Sequence, residues 1–316
     1  MTVIDKNAAP LLHVEGLKQH FRISASYTTK AVDGISFDVW PGETYGLVGE
    51  SGSGKSTTGR AIIRLYDPTA GKIIFDGHDI SGKMSKEDER YLRTNMQMIF
   101  QDPMACLNPR KKVKEIIAQG LEIHHLYKDQ KELEEKIYAI IEKVGLSKEH
   151  ATRYPHQFSG GQRQRIGIAR ALVMNPKLVI ADEAISALDV SIQAQVVNLM
   201  KDLQDELGTT YLFIAHDLSM VKYISDRIGV MHLGHIVETG TTDEIFENPV
   251  HPYTRSLLSA IPRPNPRVEK KRIAVEYDKA KEGVDYTAGH LHQLTDTHSV
   301  LATDEEYAKW SKNHSY

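Results

Sequence analysis

The sequence has a single cysteine, Cys106, and few aromatic side chains, at 7% of its 316 residues. One cysteine excludes an internal disulfide framework, a cysteine-based zinc site and a cysteine-ligated iron–sulfur cluster. No apolar run approaches the ~18 residues of a membrane span, and the first residues lack the apolar region of a secretion signal. Neither sign of charge dominates, because 39 basic and 42 acidic side chains leave a formal charge of -3. This balance argues against non-specific nucleic-acid binding, and the composition predicts a soluble protein of a reducing compartment, expected to be the cytoplasm.

Short apolar runs alternate with helical patterns along the chain. The runs at residues 44–49, 178–181, 210–215 and 227–233 are typical of buried strands, and residues 31–39, 71–77 and 96–100 are further strand candidates. Between about residues 102 and 176 the apolar residues recur at three- and four-residue steps, which indicates amphipathic helices. Apolar strands separated by helices predict an α/β protein with a mostly parallel sheet covered on both faces.

A glycine-rich loop follows the apolar run at residues 44–49 and precedes a helical pattern. It reads Gly-Glu-Ser-Gly-Ser-Gly-Lys-Ser and fits the phosphate-loop pattern G-x-x-x-x-G-K-[ST]. Its backbone N–H groups can surround a phosphate, and the helix start adds positive potential. We expect Lys55 to neutralise the β- and γ-phosphates of ATP and Ser56 to bind Mg²⁺. A flexible linker is the alternative, but apolar elements flank the loop tightly. The predicted ATP-binding loop comprises Gly49, Glu50, Ser51, Gly52, Ser53, Gly54, Lys55, Ser56 and Thr57.

Two carboxylates end the later apolar run Leu-Val-Ile-Ala-Asp182-Glu183. Ligands of open α/β sheets bind at the carboxyl ends of the strands, which places Asp182 beside the phosphate loop. Asp182 suits Mg²⁺, directly or through water, and Glu183 suits a general base that polarises the attacking water. Two solvated acids at a strand end are the alternative, and the phosphate loop disfavours it.

A second anion-binding segment, Phe158-Ser-Gly-Gly-Gln162, precedes a helical pattern about twenty residues before Asp182. With the phosphate loop and the acid pair, it resembles the signature of the ATP-binding cassette (ABC) ATPases, with phenylalanine in place of leucine. The resemblance implies an added small antiparallel β subdomain and an inserted helical subdomain. It also implies that the signature residues contact ATP held by a second subunit. These residues are Ser159, Gly160, Gly161 and Gln162.

The resemblance assigns further roles to residues in the matching order. Gln101 corresponds to the glutamine that contacts Mg²⁺ and water, and His216 to the switch histidine near the γ-phosphate. Phe21 is the best match for the aromatic residue that stacks on adenine, with Tyr27 as runner-up and simple core packing as the alternative for Phe21. The loop that crosses the dimer interface corresponds to Ser186, Ala187, Leu188 and Asp189.

Finer likenesses are to the oligopeptide/dipeptide importer group of this family. They lie in residues 101–110, 186–196 and 248–258, where His-Pro-Tyr-Thr opens a C-terminal extension. The resemblance implies an ABC cassette at residues 1–250, with its helical subdomain at about 102–176, and an extension at 251–316. It further implies peripheral attachment to the cytoplasmic face of the membrane. The implied partners are a second ABC ATPase in a heterodimer, two permease chains and an extracellular peptide-binding protein, with no nucleic acid and no iron–sulfur cluster.

The sequence is consistent with alternatives for the cargo, for the class of ATPase and for the tail. Dipeptides or another small cargo such as nickel complexes could replace oligopeptides, and a soluble ABC ATPase outside transport or a catalytically silent subunit are further hypotheses. Ala184 replaces the proline usual after the catalytic glutamate, and it is the sole support for the silent subunit. In the tail, Tyr307 and Trp310 predict a short helix packed on the cassette or on a neighbour. Its scattered histidines are expected on the surface rather than in a metal site: His290, His292, His298 and His314.

Overall fold

The computed structural model describes residues 9–261, 277–279 and 283–311. Its strands are β1 (Leu12–Arg22), β2 (Thr28–Val39), β3 (Thr44–Val48), β4 (Ala70–Phe75), β5 (His78–Asp79), β6 (Met96–Ile99), β7 (Leu178–Asp182), β8 (Thr210–Ala215), β9 (Arg227–His232), β10 (His235–Thr241), β11 (His290–Gln293) and β12 (Ser299–Ala302). Its α-helices are α1 (Lys55–Ile62), α2 (Lys86–Asn95), α3 (Pro103–Cys106), α4 (Val113–His124), α5 (Gln130–Lys143), α6 (Gly160–Leu172), α7 (Val190–Leu207), α8 (Leu218–Ile224), α9 (Thr242–Glu247), α10 (Pro252–Ser259) and α11 (Asp304–Ser311).

A mixed sheet forms the centre of the fold, with strand order β11-β12-β10-β9-β3-β8-β7-β6. The pairs from β6 through β7, β8 and β3 to β9 are parallel. The remaining pairs, toward β11, are antiparallel. A second, antiparallel sheet has the order β2-β1-β4-β5. The predicted α/β fold with a mostly parallel core and a small antiparallel subdomain is confirmed.

Side chains from the central strands enter two hydrophobic cores, one on each face of the sheet. Leu178 and Ile180 of β7 pack with residues of the antiparallel sheet. Val179 and Ala181 pack with the helices between β6 and β7 and with α7. Successive side chains on a strand point to opposite faces, so a strand buried on both faces must be apolar throughout. This is why the central strands show continuous rather than alternating hydrophobicity.

Helices α3 to α6 occupy the segment between β6 and β7, where the helical period was predicted. Two 3₁₀ turns, Lys148–Thr152 and Pro155–Gln157, lead into α6. The described helices include none that is both long and apolar enough to cross a bilayer.

The C-terminal segment adds the β11–β12 hairpin to the edge of the central sheet, where β12 pairs with β10. The sequence patterns did not predict this hairpin. The predicted short helix is present as α11, and Trp310 is buried against the ring of His251, with centroids 4.9 Å apart. The helix therefore packs back on its own chain, which resolves the alternative left open by the sequence.

Candidate nucleotide-binding site

The phosphate loop connects β3 to α1, and its glycines are required by close backbone contacts. A Cβ at Gly49 would lie 2.1 Å from the carbonyl oxygen of Met231, and one at Gly54 would lie 2.2 Å from that of Ala31. Gly54 also has φ +108°, which side chains with a Cβ rarely adopt. The loop is thus packed against the neighbouring backbone, and this packing fixes its curvature.

Lys55, the first residue of α1, folds back over the loop. It is 3% exposed, and its Nζ donates to the carbonyl oxygens of Gly49 and Glu50, each at 2.8 Å. Burial lowers the pKa of Lys55, an effect that the negative charges of Glu183 and Asp182 oppose. The third N–H of this ammonium faces Ser53 Oγ at 3.3 Å, and a phosphate oxygen would replace that weak acceptor with a full negative charge.

Ser56 and Asp182 meet between α1 and the end of β7, as predicted for neighbouring parts of one site. Ser56 Oγ donates to Asp182 Oδ1 at 2.6 Å. Asp182 Oδ2 is buried and accepts no hydrogen bond from the residues that the structure describes, while Nη2 of Arg60 lies 3.5 Å away. Burial raises the pKa of Asp182, and Ser56 and Arg60 act in the opposite direction. A buried carboxylate oxygen that lacks a donor, beside a serine hydroxyl, fits a hard cation such as Mg²⁺.

Glu183 is turned away from its neighbour by an unusual backbone conformation. Its φ is +48°, in the left-handed region, which costs about 1–2 kcal/mol for a residue with a Cβ. The side chain meets Gln101, whose Nε2 donates to Glu183 Oε2 at 2.7 Å, and His216, whose Nδ1 lies 3.6 Å from Oε1. Two residues, from the ends of β6 and β8, therefore converge on the carboxylate at the end of β7. Backbone strain at a site of this kind accompanies function in many proteins.

The turn after Glu183 forms without a proline, because Ala184 stands at the position where proline is usual. The N–H and Oγ of Ser186 both donate to the Glu183 carbonyl oxygen, at 3.1 and 3.0 Å. Ala184 is buried beneath this turn. Beyond it, Ala187 and Asp189 are exposed and Leu188 is half-buried, so the predicted interface loop lies at the surface.

The signature segment starts α6. Ser159 and Gln162 form a reciprocal capping box, in which Gln162 N–H donates to Ser159 Oγ at 3.3 Å and Ser159 N–H donates to Gln162 Oε1 at 3.0 Å. Ser159 and Gly160 are exposed, and Phe158 is buried beneath them in the core. Across the described part of the chain, no hydrogen bond or ion pair joins residues 159–162 to the phosphate loop. Within the described residues, the two predicted anion-binding segments are therefore separate.

The aromatic residues predicted near the adenine lie at the end of β1 and in the loop after it. Phe21 is half-buried and packs edge-to-face on Tyr66, with ring centroids 5.4 Å apart. Tyr27 is 61% exposed. The stacking role of either ring stays a prediction.

Two tail histidines differ from the surface positions expected of them. His298 is fully buried and its Nε2 lies 2.8 Å from Oε1 of the buried Glu238, so its surface assignment was wrong. His292 is largely buried, with a side chain 13% exposed, and the other described tail histidine, His290, lies beside it with ring centroids 4.2 Å apart. His314 lies outside the described residues.

Two contacts at the site were not predicted. Arg60 lies one helical turn beyond Ser56 and approaches Asp182, and its i+4 spacing was the available signal. Tyr253 of α10 accepts a 2.9 Å hydrogen bond from the N–H of Glu50 in the phosphate loop. The His-Pro-Tyr-Thr segment was recognised in the sequence, but no pattern could place it against a loop about two hundred residues earlier.

Comparisons with known proteins agree with this geometry. Residues 32–186 match the sequence profile of the ABC transporter family. Among solved structures, cbiO1 from Clostridium perfringens, part of the ABC transporter complex cbiONQ, aligns with a TM-score of 0.69 at 28% identity, over 84% of this chain and 99% of that one. The ATP-binding cassette MJ0796, solved as a dimer in a post-hydrolysis state with ADP and Pi, aligns with a TM-score of 0.67 at 25% identity, over 73% and 98%. The fold and site thus define an ATP-binding cassette.

Relatives with higher sequence identity indicate which group of ATP-binding cassettes this chain resembles. The chain is 58% identical to the oligopeptide transport ATP-binding protein OppF of Bacillus subtilis (strain 168), over 95% of this chain and 99% of that protein. It is 52% identical to the dipeptide transport ATP-binding protein DppF of Lactococcus lactis subsp. cremoris (strain MG1363), over 96% and 97%. Residues 237–287 match the C-terminal region of oligopeptide/dipeptide transporters. The chain belongs to the ABC transporter family, in its oligopeptide/dipeptide group of ATP-binding proteins, which confirms the resemblance.

Proposed function

We propose that this chain hydrolyses ATP to energise a membrane importer of oligopeptides. The observation that carries the proposal is the convergence of Gln101, Glu183 and His216 beside the phosphate loop. A carboxylate held by two polar side chains, next to a site for the terminal phosphate, is the arrangement required to orient an attacking water. The relatives named above support the transport role.

The phosphate loop and Lys55 would hold the β- and γ-phosphates, with Lys55 keeping its two carbonyl acceptors and turning its third N–H from Ser53 Oγ to a phosphate oxygen. Ser56, Asp182 and Gln101 are the residues that would hold Mg²⁺, which when bound supplies positive charge to the transferring phosphoryl group. The buried Oδ2 of Asp182, which accepts no hydrogen bond from the described residues, supports this assignment.

Glu183 would then accept a proton from the attacking water, while His216 faces the developing charge of the γ-phosphate. The hydrogen bond from Gln101 orients Glu183. Because Gln101 adjoins the helical segment and would respond to its movement, this bond links that segment directly to the proposed base. Electrostatic groups placed in advance of reaction lower the barrier because they need no reorganisation when charge develops.

A second cassette would complete each ATP site. The exposed start of α6 at Ser159 and Gly160 can contact ATP held by a partner, and the surface loop at 187–189, with Ala187 and Asp189 exposed, can cross the interface. Closure of two subunits head-to-tail would exclude water and bring the signature N–H groups to the γ-phosphate, so hydrolysis would follow dimer closure.

The proposed assembly holds this chain at the cytoplasmic face of the membrane with a second ABC ATPase, two permease chains and an extracellular peptide-binding protein. The relatives include both oligopeptide and dipeptide transport proteins, so dipeptides are the alternative cargo. The cysteine-free sequence after Cys106 supports the absence of an iron–sulfur cluster.

The test is purification of the Glu183→Gln chain from native membranes in the presence of ATP and Mg²⁺, followed by identification of the proteins that accompany it. Blocked hydrolysis should trap the closed assembly. We expect two permeases and a second cassette, and peptide uptake should fail in cells that carry only this variant.

Recovery of soluble proteins alone would contradict the transport role while leaving the ATP site intact. Normal oligopeptide uptake together with lost dipeptide uptake in a deletion strain would assign the alternative cargo.

A further inference from the structure

Tyr253 connects the C-terminal segment to the phosphate loop through one peptide group. Its hydroxyl oxygen accepts the N–H of Glu50 at 2.9 Å. The carbonyl of the same peptide group belongs to Gly49, and it accepts a 2.8 Å hydrogen bond from Lys55 Nζ. The Gly49–Glu50 peptide is therefore held from both sides, by a tyrosine through its N–H and by the phosphate-binding lysine through its carbonyl.

The position of Tyr253 is itself strongly constrained. The residue is 1% exposed, and its ring packs on those of His232 and Tyr277, with centroids 4.1 and 5.6 Å away. His251, just before it, caps α10 by accepting the Tyr253 N–H at Nδ1, 3.0 Å away. The His251 N–H in turn donates to the buried carboxylate of Glu238 on β10, at 3.0 Å.

The opposite side of the loop leaves the peptide little freedom. Gly49 approaches the carbonyl of Met231 so closely that no Cβ fits, and Met231 adjoins His232, on which Tyr253 packs. Loss of the Tyr253 hydroxyl would leave the Glu50 N–H without its partly buried acceptor, and such a donor is costly. Rotation of the peptide toward another acceptor would turn the Gly49 carbonyl away from Lys55.

We propose that Tyr253 is a positioning residue that holds the Gly49–Glu50 peptide in its phosphate-binding orientation. The C-terminal segment thereby sets the ATP affinity of the site. This inference rests on the proposed function only in that ATP is the ligand of the loop. Tyr253 acts through the peptide and Lys55, and no contact of its own with the nucleotide is required.

The test is ATP binding by the purified full-length chain, measured by calorimetric titration for the wild type and for Tyr253→Phe. Phenylalanine keeps the ring and removes only the acceptor, and we expect affinity to fall about tenfold. Tyr286→Phe is the matched control, since Tyr286 is also buried and its hydroxyl bonds to His232 Nδ1 at 2.6 Å. The control should lose thermal stability to a similar extent and keep its ATP affinity.

A double-mutant cycle with Lys55→Ala separates positioning from general destabilisation. The two substitutions act on one peptide, so we expect the Tyr253→Phe effect to shrink in the Lys55→Ala background. Equal ATP affinity of wild type and Tyr253→Phe, or equal losses in Tyr253→Phe and Tyr286→Phe, would overturn the inference. Failure of the wild type to bind ATP would instead overturn the proposed function.

Hydrogen exchange of the wild-type chain without nucleotide tests the same contact if Tyr253→Phe does not fold. The Glu50 amide should exchange more slowly than the exposed amide of Ser51. Equal exchange rates would contradict a stable hydrogen bond to Tyr253.

A different cluster, at the edge of the sheet, carries a second inference. His290 and His292 are two residues apart on β11, so their side chains share a face, and Asp304 begins α11 beside them. Asp304 Oδ1 lies 3.5 Å from His290 Nε2 and 3.6 Å from His292 Nε2. Ligands about 2.0–2.1 Å from a tetrahedral zinc ion are about 3.3–3.4 Å apart, so these separations are close to those of a bound ion.

Of these three side chains, that of His292 is held by packing against the rest of the chain. Its ring stacks on Tyr307 with centroids 4.4 Å apart and planes 6° apart. Its Nε2 donates to the Ala302 carbonyl oxygen at 3.2 Å, and it would lose this proton and exchange that acceptor for the metal ion on binding. We infer that His290, His292 and Asp304 form a surface site for a borderline divalent cation such as Zn²⁺ or Ni²⁺, since imidazole suits these metals. Binding would join the hairpin to α11.

The test is calorimetric titration of the untagged chain with Zn²⁺ at neutral pH. We expect one equivalent to bind, with affinity reduced at least about tenfold in His290→Gln and in His292→Gln. His78→Gln is the control, because His78 lies 2.8 Å from Asp88 but has no second imidazole among its described contacts. Absence of binding, or binding unchanged in both variants, would overturn the site.

Discussion

The side-chain amide of Gln101 donates a 2.7 Å hydrogen bond to the carboxylate of Glu183. Gln101 follows β6 and precedes the helical segment, while Glu183 follows β7, so this bond joins the proposed base to that helical segment. A shift of the helical segment that moved Gln101 would therefore change the orientation of Glu183.

Glu183→Gln should retain ATP binding and lose turnover, because an amide cannot accept the proton of the attacking water. We expect the ATPase rate of the assembled complex to fall by about 10²–10⁴-fold. Steady-state phosphate release and equilibrium ATP binding are the two measurements. Turnover at the wild-type rate would remove Glu183 from its assigned role.

Asp182→Asn should remove the dependence of nucleotide affinity on Mg²⁺. The variant keeps an oxygen for Ser56 but lacks the charge that would hold a divalent cation. ATP titrations with Mg²⁺ and with a chelator should give different affinities for the wild type and similar ones for the variant. A full Mg²⁺ effect in the variant would exclude Asp182 as a determinant of cation binding.

Ser159→Arg should impair hydrolysis by the assembled complex without changing ATP affinity of the isolated chain. Ser159 is exposed at the start of α6, and within the described residues it has no hydrogen bond to the phosphate loop. Its proposed contact with ATP would therefore need a second subunit. Weaker ATP binding by the isolated variant would show that the signature contacts nucleotide within one chain.

Phe21→Ala should weaken ATP binding if Phe21 stacks on adenine, by an amount of about 1–3 kcal/mol for a lost aromatic stack. Tyr27→Ala is the paired variant, because Tyr27 offers an exposed ring in the same region. Titration of each variant with ATP and with GTP measures its nucleotide affinity. A loss confined to Tyr27→Ala would transfer the role to Tyr27, and no loss in either would assign Phe21 to packing against Tyr66.

Acid should destabilise the C-terminal segment through the half-buried His232 and the buried His251. Burial lowers the pKa of His232 to about 4 and that of His251 to about 3, from 6.5 in the unfolded chain. Between the folded and unfolded pKa values, the unfolded state binds more protons than the folded state. The contribution of these two histidines to the free energy of unfolding is therefore complete above pH 6.5 and declines as the pH falls. For the fully buried His251, the free energy of unfolding falls by an amount that approaches about 1.4 kcal/mol per pH unit.

Thermal unfolding between pH 7.5 and pH 4 measures this decline. His232→Gln cannot take up the proton and should flatten the pH dependence, whereas substitution of the exposed His156 by Gln should not. An unchanged slope in His232→Gln would contradict the assignment.

The parts of the site that the sequence predicted are those formed by consecutive residues. The phosphate loop, the Asp182–Glu183 pair and the signature each combine a local backbone shape with side chains at fixed spacing, and flanking apolar runs identify the strands that present them. Gln101 and His216 required the family resemblance, because a single residue at a strand end has no local pattern.

The contacts of the C-terminal segment were beyond the reach of such patterns. His298 sits among polar and charged residues in the sequence, yet it is buried because β12 adds to the edge of the central sheet and brings it to Glu238. Hairpin β11–β12 has short strands with mixed polarity, so its pairing with β10 depends on the sheet already being formed.

The sequence by itself determined the α/β class, the identity of the nucleotide loop and the acids at the end of β7, since periodicity and spacing express those features directly. Only the tertiary structure decided that Glu50 donates to Tyr253, that Glu183 adopts a left-handed backbone toward Gln101, and that α11 packs on its own chain. Each depends on chain segments far apart in sequence, whose approach is fixed by burial and hydrogen-bond satisfaction of the whole fold.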